Sequence, residues 1–290
     1  MASLGMIFPP SFPPERLSDV ARAAEAAGLD ELWVFEDCFK ESGLATLVAA
    51  LAATERIRVG VGILPMPLRN VAVTAMEFAT IERLFPGRAR FGVGHGVQEW
   101  MGQVGARAAS PLTLMREYVP ALRALLAGQE VTVSGRYVRL DRVKLDWPPA
   151  GRVPVLAAGE GPKTVALTGE VADGIVVDSR YGAGQVRETI ARSRDAFAAA
   201  GRRGEFEPVA FLRAEFGEDA SRVVEAEFDA MGLTGERRSA AAGSEASVAA
   251  TAAELFDAGA GTVLLQSRAD EPDLEGYAER AGGVAALLRE

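Results

Sequence analysis

The 290-residue sequence predicts an α/β fold, a single (β/α)8 TIM barrel with a β-hairpin insertion after the fourth strand and its helix. Three observations point there. Strand-like apolar runs alternate with helix-like amphipathic segments along the chain, the signature of a parallel sheet with helical crossovers. The alternation repeats eight times, the number that closes a barrel. It breaks once, at about 129–149, where a period-two pattern intervenes. Barrels of this class commonly run to about 250 residues as one domain. With hydrophobic residues at 49%, one core and one domain over 1–290 are expected.

The elements follow in order. An apolar run at 4–8 stops at Pro9 and Pro10. Leu17, Val20, Ala21, Ala24 and Ala27 recur at helical spacing, and Gly28 is a helix stop. Residues 32–35 give the second strand; Leu44, Leu47, Val48 and Leu51 mark the second helix. The third strand is 58–64 and the third helix 71–84, closed by Pro86 and Gly87, and the fourth strand is 89–93. Ser110 before Pro111 reads as an N-cap with proline at the first helical position, and Gly128 closes that helix. Pro120 inside it should kink it or mark its restart. Residues 131–140 alternate around Ser134 and Gly135 as a hairpin. Strands at 153–158, 174–177, 208–214 and 262–266 then alternate with helices at 162–172, about 183–200, near 219–232 and 245–258, and 275–289. Residues 96–109 and 233–247, rich in Gly, Ala and Ser, read as loops, and long loops after barrel strands commonly carry function.

Composition removes several function classes. A net charge of −9 opposes nucleic-acid binding, and the nearest basic group, Arg202 and Arg203 beside Arg194, reads as a solvated face. Cys38 is the single cysteine, so no internal disulfide can form, which suits a reducing cytoplasm. The proline-rich start, residues 1–14, does not read as a secretory leader, and the apolar stretch 43–53 falls short of the ~20 residues that span a membrane. One histidine rules out histidine-rich metal sites; no clustered zinc ligands and no Gly-x-Ser-x-Gly elbow occur. A cytoplasmic protein that takes a small-molecule substrate and borrows an organic cofactor is expected, with no metal.

In a barrel the chemistry sits where strands end. The second strand ends in Glu36 and Asp37, able to bind a polar group or to exchange protons, or simply solvated. The third ends in Gly62, Ile63 and Leu64, after Gly60; such glycines admit a planar ligand or relieve crowding in the strand. The fourth ends in Gly94, His95 and Gly96, without the full dinucleotide fingerprint. His95, with an ordinary pKa near ~6.5, could donate a proton near neutrality or be structural. The fifth ends in Ala158, Gly159, Glu160, Gly161, Pro162 and Lys163, where a helix opens: an anion site, or a plain turn. Asp178 closes the sixth strand and joins the cofactor set.

Several passages together resemble the luciferase-like monooxygenase superfamily, which includes flavin-dependent monooxygenases and deazaflavin-dependent reductases and dehydrogenases. They are Ala26-Ala27-Gly28-Leu29-Asp30-Glu31-Leu32-Trp33-Val34, Arg56-Ile57-Arg58-Val59-Gly60-Val61-Gly62-Ile63-Leu64-Pro65, Phe85-Pro86-Gly87-Arg88-Ala89-Arg90-Phe91-Gly92-Val93-Gly94, Gly159-Glu160-Gly161-Pro162-Lys163 and Val171-Ala172-Asp173-Gly174, with a last strand and helix after Ala258-Gly259-Ala260-Gly261. The resemblance implies a cis non-prolyl peptide between Gly62 and Ile63 that buttresses a deazaflavin ring. It implies the cofactor phosphate at Gly159, Glu160, Gly161 and Lys163, and Gly94, His95 and Gly96 beside the ring. Glu36 and Asp37 fall where many deazaflavin members carry an acid and a histidine. Here Asp37 takes the histidine's place, or Cys38 if the register slips, so Glu36, Asp37 and His95 all stay open for proton transfer.

The resemblance implies hydride transfer between deazaflavin coenzyme F-420 and a small organic substrate, a reading to which the Ala-, Gly- and Arg-rich composition of a high-GC genome adds slightly. Two alternatives stand beside it. One is an FMN-dependent two-component monooxygenase fed by a separate flavin reductase; the other is a non-enzymatic flavin-binding protein. Phe8, Trp100 and Met101, with Tyr137 and Trp147 of the hairpin, are the expected substrate pocket, though the aromatics could equally be loop packing. A homodimer packed through the second and third helices is expected.

Overall fold

A computed structural model describes residues 2–233 and 239–290. The chain runs β1 (Ser3–Phe8), α1 (Leu17–Ala26), β2 (Glu31–Val34), α2 (Gly43–Ala53), β3 (Arg58–Pro65), α3 (Val71–Leu84), β4 (Ala89–Gly94), α4 (Gln98–Gln103), α5 (Pro111–Leu126), β5 (Val131–Ser134) and β6 (Arg139–Val143). It continues with β7 (Val155–Ala158), α6 (Pro162–Val171), β8 (Gly174–Val177), α7 (Ala183–Ala199), β9 (Glu207–Phe216), α8 (Ala220–Ala230), β10 (Ala241–Gly243), α9 (Glu245–Asp257), β11 (Thr262–Gln266) and α10 (Leu274–Leu287). Strands β1, β2, β3, β4, β7, β8, β9 and β11 pair in parallel in that order, and β11 returns to β1, so the sheet closes as the sequence predicts. β5 and β6 form the antiparallel hairpin.

Local chemistry sets the helix starts. Ser42, Asn70, Ser110, Ser244 and Asp273 cap α2, α3, α5, α9 and α10 through their side chains, each satisfying a backbone N–H of the first turn. Pro120 does not restart α5: the helix runs unbroken through it. The residue lies on the exposed face, where the carbonyl its ring leaves unpaired can meet water. Two segments expected as loops contain structure. Residues 96–109 hold α4, and 233–247 hold β10, which extends the sheet beside the end of β9; 234–238 lie outside the described residues.

Strand alternation divides the core in two. One set of side chains packs between sheet and helices. The other, Ile7, Trp33, Leu156, Val176, Val209, Phe211 and Leu264, fills the lumen. Trp33 is the largest of these, and its indole Nε1 donates to Glu31 at 2.7 Å. A Cβ on Gly60 would stand 2.6 Å from that nitrogen, and one on Gly62 2.7 Å from Trp33 Cε3. These glycines therefore make room for Trp33, a lumen-filling role before any ligand role.

The end of the barrel where strands begin is ionic. Glu31 pairs with Arg58 at 2.8 Å, and Arg90 with Glu207 at 3.1 Å. Asp173 accepts from Val155 N at 3.0 Å and faces Arg123, Arg152 and Arg202 at 3.0, 3.1 and 2.7 Å. Arg202 is thus no solvated surface charge, as its sequence context suggested; its side chain is 11% exposed and ties the α7–β9 loop to β8. Among the described residues no helix is long and apolar enough to cross a membrane, and no group of three or more His, Cys, Asp or Glu is placed to hold a metal.

Candidate active site

All eight barrel strands point their C-terminal ends to one mouth. Its floor is apolar: Phe35, Ile63 and Ala158 lie half-buried on top of the lumen cluster, and Phe35 packs 5.6 Å from Phe211, centroid to centroid. The Gly62–Ile63 peptide is cis, as the family resemblance implies. It falls where the β3–β4 register shifts between Val61 and Leu64, a bulge that leaves Ile63 out of the ladder. A Cβ on Gly94 would come 2.7 Å from Ile63 Cδ1, so the glycine beside His95 lets Ile63 lie flat.

His95 stands beside this floor. Both ring nitrogens are buried and have no hydrogen-bond partner among the described residues. Burial holds the imidazole below its ordinary pKa and hence neutral near pH 7. Buried polar atoms without partners are uncommon in folded proteins and call for a ligand or water.

The two acids after β2 differ sharply. Glu36 is engaged: its carboxylate takes a two-pronged ion pair from Arg69, with Nη2 at 2.9 Å from Oε2, and accepts from Gly43 N at 3.0 Å. Arg69 also reaches Glu77 on α3, 3.5 Å away. The Asp37 carboxylate makes no such bond among the described residues. Burial pushes its pKa above the ordinary carboxylate value, and the Lys40 charge opposes this only in part. The next peptide, Cys38–Phe39, is also cis. Glu36 is therefore a strut that fixes the β2–α2 loop to Arg69, whereas Asp37 lacks such anchoring among the described residues.

The β7–α6 turn has the form of an anion cradle. Gly161 takes φ 76° at the N-cap of α6, and the first turn has no side-chain cap. A Cβ on Gly159 would strike Thr164 Cγ2. Lys163 is exposed and has no carboxylate partner among the described residues. Glu160 and Asp178 are not free: Arg180 binds Asp178 through Nε at 2.8 Å and also pairs with Glu160. Arg180 and Arg69 escaped the sequence reading. Asp178-Ser179-Arg180 at a strand end was the available signal for one; nothing local announced the other.

Four expected pocket residues are elsewhere. Phe8 is fully buried in the layer between sheet and helices, because its neighbour Ile7 takes the inward position on β1. Met101 is fully buried, its sulfur 3.1 Å from where a Gly96 Cβ would stand, so it supports the loop after β4 and lines no pocket. Trp147 is 72% exposed and lies 5.2 Å over the Arg83 guanidinium. Arg83 is in the last turn of α3, at the end opposite the mouth. Trp100 remains half-buried on α4, close after His95. Tyr137 accepts from Ser110 N at 2.7 Å at the start of α5 and lines a rim cleft, not the strand-end mouth.

Residues 3–261 match the family described as luciferase-like monooxygenase. The chain is 31% identical over 179 residues to 5,10-methylenetetrahydromethanopterin reductase of Methanolobus tindarius, covering 62% of this chain and 55% of that protein. It thus spans little more than half of that relative. It is 31% identical over 230 residues to F-420-dependent glucose-6-phosphate dehydrogenase of Kineococcus radiotolerans, covering 74% of this chain and 68% of that one. Among solved structures, an F-420-dependent secondary alcohol dehydrogenase in complex with an F-420–acetone adduct superposes with TM-score 0.88 at 22% identity, covering 100% of both chains. A coenzyme F-420-dependent tetrahydromethanopterin reductase from Methanopyrus kandleri gives 0.83 at 21%, covering 97% of both, and a monooxygenase from Streptomyces bottropensis gives 0.80 at 19%, covering 99% of both. At these identities the structures speak for the fold.

Proposed function

Because this chain belongs to the luciferase-like monooxygenase family, we propose that it is an oxidoreductase that passes a hydride between deazaflavin coenzyme F-420 and a small organic substrate. One observation carries the reading: an apolar floor built on Ile63 lies beside a buried histidine whose ring nitrogens lack partners. The named relatives that use F-420 support the choice of cofactor. The residues present fit such a group, with an apolar shelf for a ring, orphaned donors beside it and an uncapped helix start with Lys163 for a phosphate.

Bound there, the deazaflavin supplies a two-electron hydride donor or acceptor. The chain supplies the rest. Ile63, Phe35 and Ala158 would give the ring an apolar shelf that excludes water. Gly161, Lys163 and the α6 N–H groups would hold the phosphate. Asp37 would exchange the proton that accompanies the hydride at its own carboxyl oxygen. Neutral His95 would offer its unpartnered ring nitrogens to the bound group, and Glu36, clamped by Arg69, positions the loop that bears Asp37. The FMN monooxygenase reading rests on the fold likeness to the Streptomyces bottropensis enzyme.

A homodimer is part of the same proposal. Val73, Met76 and Leu84 leave an exposed apolar line on α3, and Ala45, Ala49 and Ala52 are exposed on α2. Light scattering on the purified chain reads the mass.

The function is tested by titrating the protein with oxidised F-420 and, separately, with oxidised and reduced FMN, followed by fluorescence or calorimetry. Binding of F-420 that Lys163→Ala weakens supports hydride transfer. Preference for reduced FMN moves the assignment to an oxygen-using monooxygenase. Binding of neither overturns both.

A further inference from the structure

A second cavity of about 380 Å³ opens at the rim, between the β3–α3 loop, the α4–α5 loop and the β5–β6 hairpin. It includes none of the strand-end residues of β2, β4 or β7 and none of the β7–α6 turn. Its walls hold three arginines, Arg69, Arg107 and Arg139, and two tyrosines, Tyr118 and Tyr137, over an apolar floor that includes Leu114. No aspartate or glutamate lines it, in a chain of net charge −9.

The positive charge there is unevenly offset. Arg69 faces Glu36 and Glu77. Arg107 and Arg139 have no carboxylate partner among the described residues. Each is steadied through Nε by a backbone carbonyl, Arg107 on Gln98 at 2.9 Å and Arg139 on Gly135 at 3.4 Å, and the outer N–H groups of neither fork have a hydrogen-bond partner among the described residues. Glu117, on the helix that carries Leu114 and Tyr118, accepts from the N–H groups of Arg136, Tyr137 and Val138 and does not line the cavity. The start of α3 adds its positive end through Asn70 and Val71.

A cavity of about 290 Å³ at the opposite end of the barrel provides the contrast. It too is lined by three arginines, Arg58, Arg90 and Arg152, but Glu82, Glu205 and Glu207 line it with them. Its charges answer one another, as in the Arg90–Glu207 pair, so it asks for no ligand.

We infer that the rim cleft is an anion-selective binding site for a small molecule bearing two or more carboxylate or phosphate groups, separate from the cofactor mouth. Guanidinium forks favour planar, two-oxygen recognition, and two of them over an apolar floor select an oligo-anion with a short carbon frame. The inference stands on the cleft alone and does not need the deazaflavin reading.

The test is calorimetric titration of the full chain at low ionic strength with pyrophosphate and, separately, with citrate. Saturable binding of one anion per chain is expected, weakened about tenfold or more by the Arg107→Ala, Arg139→Ala double variant, as loss of two charge-assisted contacts requires. Lys163→Ala, at the other anion cradle, should leave it unchanged. The stronger of the two probes tells phosphate from carboxylate preference. Both arginines are exposed, so a melting curve superimposable on the parent's shows that the double variant is folded; Arg107→Glu should abolish binding in the same assay. Absence of saturable binding with both anions overturns the inference. So does binding that Lys163→Ala removes and the double variant leaves intact.

Discussion

Replacing Asp173 by asparagine removes the one negative charge that three arginines share. Asparagine keeps an oxygen for Val155 N, so the backbone bond at 3.0 Å can survive and the change is almost purely electrostatic. Removing one partner of a buried ion pair costs ~3–5 kcal/mol. Asp173 itself is only 3% exposed, yet Arg123 and Arg152 are 35% and 48% exposed and can turn to water, which discounts their share. Arg202 cannot: it is 11% exposed and packed 4.9 Å over Phe197. The lower end, about 3 kcal/mol, follows. At roughly 2 °C per kcal/mol for a chain of this size, the melting temperature should fall by about 6 °C. The pH dependence has a definite sign. Burial raises the Asp173 pKa, but the Val155 N–H and the arginines outweigh it and hold the carboxyl below its ordinary value of 3.8. A depressed folded pKa gives stability that is present above the unfolded value and lost as pH falls through the folded one. The gap between parent and D173N should therefore be full at pH 7 and begin to close below about pH 4. Circular-dichroism melts at several pH values measure it. An unchanged melting temperature at pH 7, or a gap that persists in acid, refutes the assignment of Asp173 as an ionic hub. Affinity for the cofactor should not change, since Asp173 lies at the end away from the mouth.

Asp37→Asn should lower turnover with F-420 by about 10²–10⁴ while leaving F-420 affinity intact; equal losses in both would place Asp37 in binding instead. Because burial raises the Asp37 pKa, its stabilising contribution exists below the unfolded value of 3.8 and is lost as pH rises through the folded one, so Asp37→Asn should melt higher than the parent at pH 7 and lose that advantage in acid. His95 behaves oppositely: burial depresses its pKa, so the parent should lose stability relative to His95→Gln as pH falls below 6.5, seen in paired denaturant titrations at pH 7.5 and about 5.5. Gly60→Ala places a methyl 2.6 Å from the Trp33 indole nitrogen, which Glu31 holds in place. It should cost ~1–3 kcal/mol in a urea titration, and combining it with Trp33→Phe should recover part of the loss; no recovery would break the link to Trp33.

Much of this was legible in the chain. Alternation of period two and period 3.6, with Ser110 at a helix start and Gly128 after its end, depends on local backbone and side-chain chemistry, and Ser110 caps α5 as read. The strand-end glycines and His95 were found because a parallel barrel sends every strand end to one face. The misses arise in the fold. Phe8 is buried because Ile7 takes the inward position on β1, Met101 because it packs under the Gly96 turn, and Trp147 is carried to the wrong end by the direction of the hairpin's return. Arg202 looked solvated because its neighbours in sequence are acidic, whereas its neighbour in space is Asp173.

The sequence by itself determined the barrel, the family and the residue types gathered at the barrel mouth, because periodicity, turn chemistry and local motifs are short-range. Only the tertiary structure separated Glu36 from Asp37, since adjacent acids differ in nothing local. One meets Arg69 across 33 residues and is held as a strut, the other is half-buried with no such partner among the described residues and keeps its proton more tightly. Likewise only folding turned Arg69, Arg107 and Arg139 into one surface, because charge acts through distance in space, and three loops had to close around the barrel rim before those guanidinium groups shared a cleft.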